Sequence, residues 1–97
     1  MGWTVIKEDE DGNAIETLSG EFKIPDSEDT TLNLRILKYL DPYGDTTFNA
    51  YMFEDLILDL IFLKSTVLKT DLLIDKVIAL ANECDNDVHV YLKFYGD

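Results

Sequence analysis

"LNLRILKYLDPYGDTTFN", Leu32 to Asn49, is the stretch whose reading decides how the chain is organised. In "LNLRILKYL" (Leu32–Leu40), Leu32, Leu34 and Ile36 would share one face. Asn33, Arg35, Leu37 and Tyr39 would share the other. That period of two predicts a strand in the middle of a sheet. Asp41-Pro42 then ends it, because proline fixes its own φ and pushes the preceding residue into an extended conformation. Pro42-Tyr43-Gly44-Asp45 predicts a turn. Thr46, Thr47 or Asn49 is placed to cap a following helix, and Phe48 to staple that helix to the core. The same corner would present Tyr43 and Asp45 as a contact point on a rigid turn.

Downstream, "AYMFEDLILDLIFLKS" predicts a helix from about Ala50 to Ser65. Phe53, Leu56, Ile57, Leu60, Leu63 and Lys64 form its stripe, while Glu54, Asp55 and Asp59 fall off it. Tyr51, Leu58, Ile61 and Phe62 make a second apolar edge that a single core face does not require. That edge predicts either a homodimer contact or a partner-binding groove. "DLLIDKVIALANEC" predicts a second helix after a Thr70 cap, with Leu73, Val77, Leu80, Ala81 and Cys84 as its stripe. "DND" (Asp85–Asp87) turns into a last strand, "VHVYLKFYG" (Val88–Gly96). Val88, Val90, Leu92 and Phe94 face one way there, and His89, Tyr91, Lys93 and Tyr95 the other.

Upstream, "WTVIKED" (Trp3–Asp9) and "NAIETL" (Asn13–Leu18) predict a hairpin across the Asp-Gly turn of "EDGN" (Glu10–Asn13). "SGEFKIPDSEDTT" (Ser19–Thr31) is a connector. In it Phe22 and Ile24 dip toward the core, and Pro25 restricts any strand to a short edge piece. The order is therefore β-β-β-α-α-β, and residues 1–97 read as a single α+β domain. A mostly antiparallel four-stranded sheet would carry two helices packed on one face. Its other face would show Arg35, Tyr39, His89, Tyr91, Lys93 and Tyr95.

Ninety-seven residues, 46% of them hydrophobic, suit one small globular core. Charge is the strongest compositional fact: twenty acids against eight bases, a formal net charge of −12. Direct binding to a nucleic-acid backbone or an anionic membrane needs clustered Lys and Arg, so both are disfavoured. A basic protein is the natural electrostatic partner. The first thirty residues hold Lys7 and Lys23 against nine acids, so the acidity is weighted toward the N-terminal hairpin and connector. Glu8, Asp9, Glu10 and Asp11 are the densest run. One cysteine excludes an intramolecular disulfide, and the start of the chain shows no signal-peptide pattern; a cytoplasmic location is expected.

Candidate chemistry is sparse. A calcium loop in register with Gly12 would begin at Lys7 and end at Leu18, where acids are required, so the pattern fails. One cysteine and one histidine do not make a closed transition-metal site. Cys84 lies on an apolar helix stripe and reads as a small hydrophobe, and His89 reads as a surface or interface residue. No nucleophile–base pair stands out. The reading is a non-enzymatic protein without metal or cofactor. Its candidate partner-binding residues are Glu8, Asp9, Glu10, Asp11, Tyr43, Asp45, Tyr51, Leu58, Phe62 and Tyr91.

"YLDPYGDTTFN" (Tyr39–Asn49), with the closing "VYLKFYGD" (Val90–Asp97), resembles a pattern in small acidic bacterial proteins of uncharacterised role. The size, acidity and α+β order also resemble the immunity proteins of bacterial toxin systems. Those are cytosolic inhibitors that bind and block a cognate toxin, often a basic nuclease. That resemblance implies an inhibitor of a basic partner protein such as a toxin, and assigns no residue a role. Two other readings stand beside it: a nucleic-acid mimic that inhibits a DNA-binding or defence protein, and a housekeeping homo-oligomer.

Overall fold

A computed structural model describes residues 2–24, 33–41, 43–66, 68, 71–85 and 87–96. Pro25, Pro42 and Thr70, and the connector acids Asp26, Glu28 and Asp29, lie outside the described residues. The fold is α+β, with an antiparallel sheet of five strands and two helices.

The central strand is β1 (Gly2–Asp9), where Trp3 and Val5 are buried and alternate with less buried neighbours. β2 (Ala14–Thr17) returns antiparallel to it. The turn between them is built on Asp9, whose Oδ1 accepts the N–H groups of Asp11 and Asn13, both at 2.9 Å. Gly12 takes a φ of 83°, the left-handed conformation such a turn needs. Lys7 pairs with Glu16 but Glu8 with Ala14, so β2 carries one extra residue, Ile15. This bulge breaks the regular spacing of β2's outer edge. β3 (Phe22–Lys23) continues the same side of β1 at Gly2 and Trp3. It is short and at an edge, as the following proline requires.

β5 (Val90–Gly96) pairs with β1 over its length, from Trp3↔Gly96 to Asp9↔Val90. Val90, Leu92 and Phe94 are buried, in the alternation expected. The strand starts two residues later than predicted: Val88 and His89 form a turn, and Val88 is exposed. The Asp87 carboxylate takes the N–H of His89 at 2.9 Å, which holds that turn out of the ladder.

The predicted middle strand is not formed by its described part, Asn33–Leu40. Leu37–Tyr39 is instead a single 3-10 turn. The cause is Asp59, expected off the helix stripe but 2% exposed. Its carboxylate accepts the backbone N–H groups of Arg35, Ile36 and Leu37 at 2.8–3.0 Å. Donors that converge on one carboxylate cannot also serve a ladder. Leu34, Leu37 and Leu40 are buried, a period of three, while Ile36 is only partly buried. Arg35 and Tyr39 accordingly do not lie on the sheet.

The place of that strand is taken by β4 (Asp45–Phe48), in the stretch expected to turn and cap. Asp45 pairs with Tyr95 and Phe48 with Leu92, giving the strand path β2-β1-β5-β4. Gly96 donates to the Gly44 carbonyl at 2.8 Å, and the Trp3 indole to the Asp41 carbonyl at 2.9 Å, so the corner is tied to both central strands. Thr46 and Thr47 therefore belong to a strand. Asn49 does not cap the helix, which begins at Phe53; its Oδ1 accepts the Tyr51 N–H at 3.0 Å in the turn that leads into it.

α1 (Phe53–Thr66) and α2 (Leu72–Cys84) cover one face of the sheet. α2 is capped by Asp71, which takes the Leu73 N–H at 2.9 Å. Phe53, Leu56, Leu60 and Leu63 of α1 meet Ile74, Val77, Leu80, Ala81 and Cys84 of α2 in one buried cluster with Leu92. Phe94 receives Phe22 and Phe48 edge-on, with ring centroids at 5.5 and 5.4 Å.

Candidate protein-binding surface

Strand alternation that buries Trp3, Val5, Leu92, Phe94 and Phe48 turns their neighbours to the sheet's other face. Register pairs them there: Thr4 with Tyr95, Ile6 with Lys93, Glu8 with Tyr91. β4 adds Asp45 beside Tyr95 and Thr47 beside Lys93. Two tyrosines, an isoleucine, two carboxylates and one ammonium thus share the face opposite the helices, where Tyr95 is exposed, Ile6 and Tyr91 are half-buried, and the Glu8 and Lys93 side chains are largely covered.

Lys93 is the hub. Its Nζ lies 3.4 Å from an Asp45 oxygen, 3.7 Å from a Glu8 oxygen and 5.9 Å from the centre of the Tyr95 ring. The hydrogen bond to Asp45, reinforced by the charge of Glu8, pushes its pKa above the ordinary lysine value. The ammonium is spent on two acids, so the face keeps an excess of negative charge around its aromatic rings.

Of the residues singled out in the sequence, Glu8, Asp45 and Tyr91 come together on this face. Tyr43 stands at its corner, 76% exposed, just before β4. Asp9, Glu10 and Asp11 lie at the far end of β1. Asp9 is bound into the turn; the Asn13 N–H, with smaller help from Asp11 and Gly12, holds its carboxyl below the usual range. The Glu10 carboxylate meets the His89 ring, joining the hairpin to the turn before β5. Asp11 is exposed. Tyr51, Leu58 and Phe62 belong to the helix layer and do not join this group; Tyr51 is 93% exposed and Phe62 half-buried.

Lys93, Tyr95 and Ile6 were not singled out as site residues. The alternation of "VYLKFYG" does place Lys93 and Tyr95 beside Tyr91. Ile6 is missed because its role depends on β1 lying next to β5, which nothing local encodes.

The other chemical candidates stay apart. Cys84 is buried, and that burial pushes its thiol pKa up, against thiolate chemistry. The His89 side chain is exposed and engaged with Glu10. Asp41 spends Oδ1 on the Tyr43 N–H at 2.9 Å, a turn bond. Among the described residues, no group of three or more His, Cys, Asp or Glu side chains is arranged to hold a metal ion. No described helix is long and apolar enough to cross a membrane. No protein-family model, curated protein sequence or solved structure matches the chain.

Proposed function

We propose that the chain is a non-enzymatic, acidic protein-binding module that takes a basic protein surface onto the open face of its sheet. Tyr91 and Tyr95 would be the anchors, with Tyr43 at the rim. Glu8 and Asp45 would be the charge partners, and the hairpin acids Asp9, Glu10 and Asp11 would steer the encounter. The observation that carries this reading is the environment of Lys93. The face already holds one cation between two carboxylates and an aromatic ring, the chemistry that a partner's Arg or Lys would meet. An incoming guanidinium, bidentate and stackable, can compete with a lysine for those groups.

Within this class, an immunity-like role fits the resemblance in size, acidity and α+β order. The basic partner would then be a toxin, met in the cytoplasm. The test is affinity capture from the native host, run in parallel with the chain and with a Tyr91→Ala/Tyr95→Ala variant of matched stability. The expected result is a basic protein enriched by the parent and lost by the variant. Equal enrichment of the same proteins by both would end the proposal.

A further inference from the structure

The cation at the centre of the sheet face is held unevenly. Of its two carboxylates, Glu8 is the covered one, its side chain 16% exposed, and Asp45 is the reachable one at 43%. Asp45 sits on β4, which ends the strand path among the described residues, and so can be approached from the side as well as from above. Its cross-strand partner is Tyr95, also exposed. Lys93 Nζ stands 3.4 Å from Asp45 and 3.7 Å from Glu8, both longer than the ~2.7–2.9 Å of a tight ammonium–carboxylate bond. The ammonium is shared between the two acids rather than committed to either.

We propose, on the premise that this face takes a basic protein, that Lys93 is a displaceable occupant which makes the Asp45–Tyr95 pair select a partner's arginine over its lysine. An incoming cation takes Asp45, and Lys93 falls back on Glu8, which is too covered to serve the partner itself. The exchange needs only a swing of the flexible Lys93 stem.

A partner's lysine replaces one ammonium by another, and it competes against one tethered at the site. An arginine adds a second, parallel bond to the carboxylate and lays its plane against the Tyr95 ring. Lys93 thus lowers the affinity for both, and arginine alone regains the loss.

Two capped peptides of equal charge, one of alternating Arg and Gly and one of alternating Lys and Gly, test this through the chemical shifts of the labelled full chain. The net charge of −12 attracts both alike, so their difference reports the local site. The Arg peptide should shift Asp45, Lys93 and Tyr95 and bind about two- to fivefold tighter than the Lys peptide, the worth of one exposed cation–π contact. Lys93→Met should tighten both peptides by about two- to fivefold, the worth of the surface ion pair removed. Lys76→Met, the same charge change at an exposed position on α2, should not. Glu8→Gln should loosen the Arg peptide, and do so less in the Lys93→Met background, where no lysine needs a place to withdraw to. All variants are compared at parental circular dichroism. Equal affinity of the two peptides at this face would overturn the proposal and leave the basic-partner reading intact. A Lys93→Met chain that binds no tighter than Lys76→Met would overturn it as well. Peptides that move no resonance of the face in any variant would count against both.

Discussion

Asp59 ties the segment Arg35–Leu37 to α1. It receives three consecutive backbone N–H groups at a buried position, so removing its oxygens leaves three donors without their acceptor, that of Leu37 in the buried core. Asp59→Ala should cost about 3 kcal/mol or more, and Asp59→Asn, which keeps one acceptor oxygen, should cost less. Urea unfolding of the two variants checks the order. Asp9, Cys84 and Lys93 contribute to the pH dependence of stability. Asp9 is held below the ordinary carboxyl value in the folded chain, so its contribution is present above pH 3.8 and is lost as pH falls through its lower folded value. Cys84 and Lys93 are raised above 9.0 and 10.5, so the unfolded chain loses those protons first and stability falls as pH rises through the folded values. Thermal unfolding from neutral to strongly alkaline pH should show this decline, with a shallower slope in Lys93→Met. The Cys84 thiol should also resist modification until the chain unfolds.

At the scale of elements, the hairpin, both helices and the buried face of β5 were legible because each is coded locally. Asp-Gly makes the turn, 3.6-residue spacing marks α1 and α2, and alternation marks Val90, Leu92 and Phe94. The stretch 33–48 was not legible. "LNLRILKYL" satisfies a period of two and a period of three at once, since Leu34, Leu37 and Leu40 are also regularly spaced. Asp59, more than eighteen residues away, decides between them. The strand then falls to Asp45–Phe48, where turn and cap formers mask a β-branched pair, Thr46 and Thr47. The site inherits the same division. Tyr91 and Asp45 could be named from sequence, but their meeting around Lys93 depends on β4 pairing with β5. Two substitutions probe these joints. Leu60→Ala, at a fully buried position between the helices, should cost about 2–5 kcal/mol. Trp3→Phe, which removes the indole bond to Asp41 while keeping the ring, should cost about 1 kcal/mol.

At the scale of the whole molecule, the two layers present different surfaces: a sheet face with acids around tyrosines, and an outer helix side on which Leu58 and Ile61 are exposed. Glu8, Asp9, Glu10 and Asp11 stand close enough to act as one field at physiological salt, where the Debye length is about 8 Å. Neutralising all four should slow association with a basic partner and flatten its salt dependence. Dissociation should change less, since Glu8 alone of the four lies on the sheet face. Tyr95→Ala should do the reverse and speed dissociation. Stopped-flow rates at two salt concentrations separate these effects. The most direct measurement is an amide chemical-shift map of the labelled chain titrated with the captured partner. Shifts should concentrate on Thr4–Glu8, Asp45–Thr47 and Tyr91–Tyr95. Shifts confined to α1 and α2, with those strands silent, would contradict the assignment of the open sheet face as the binding surface.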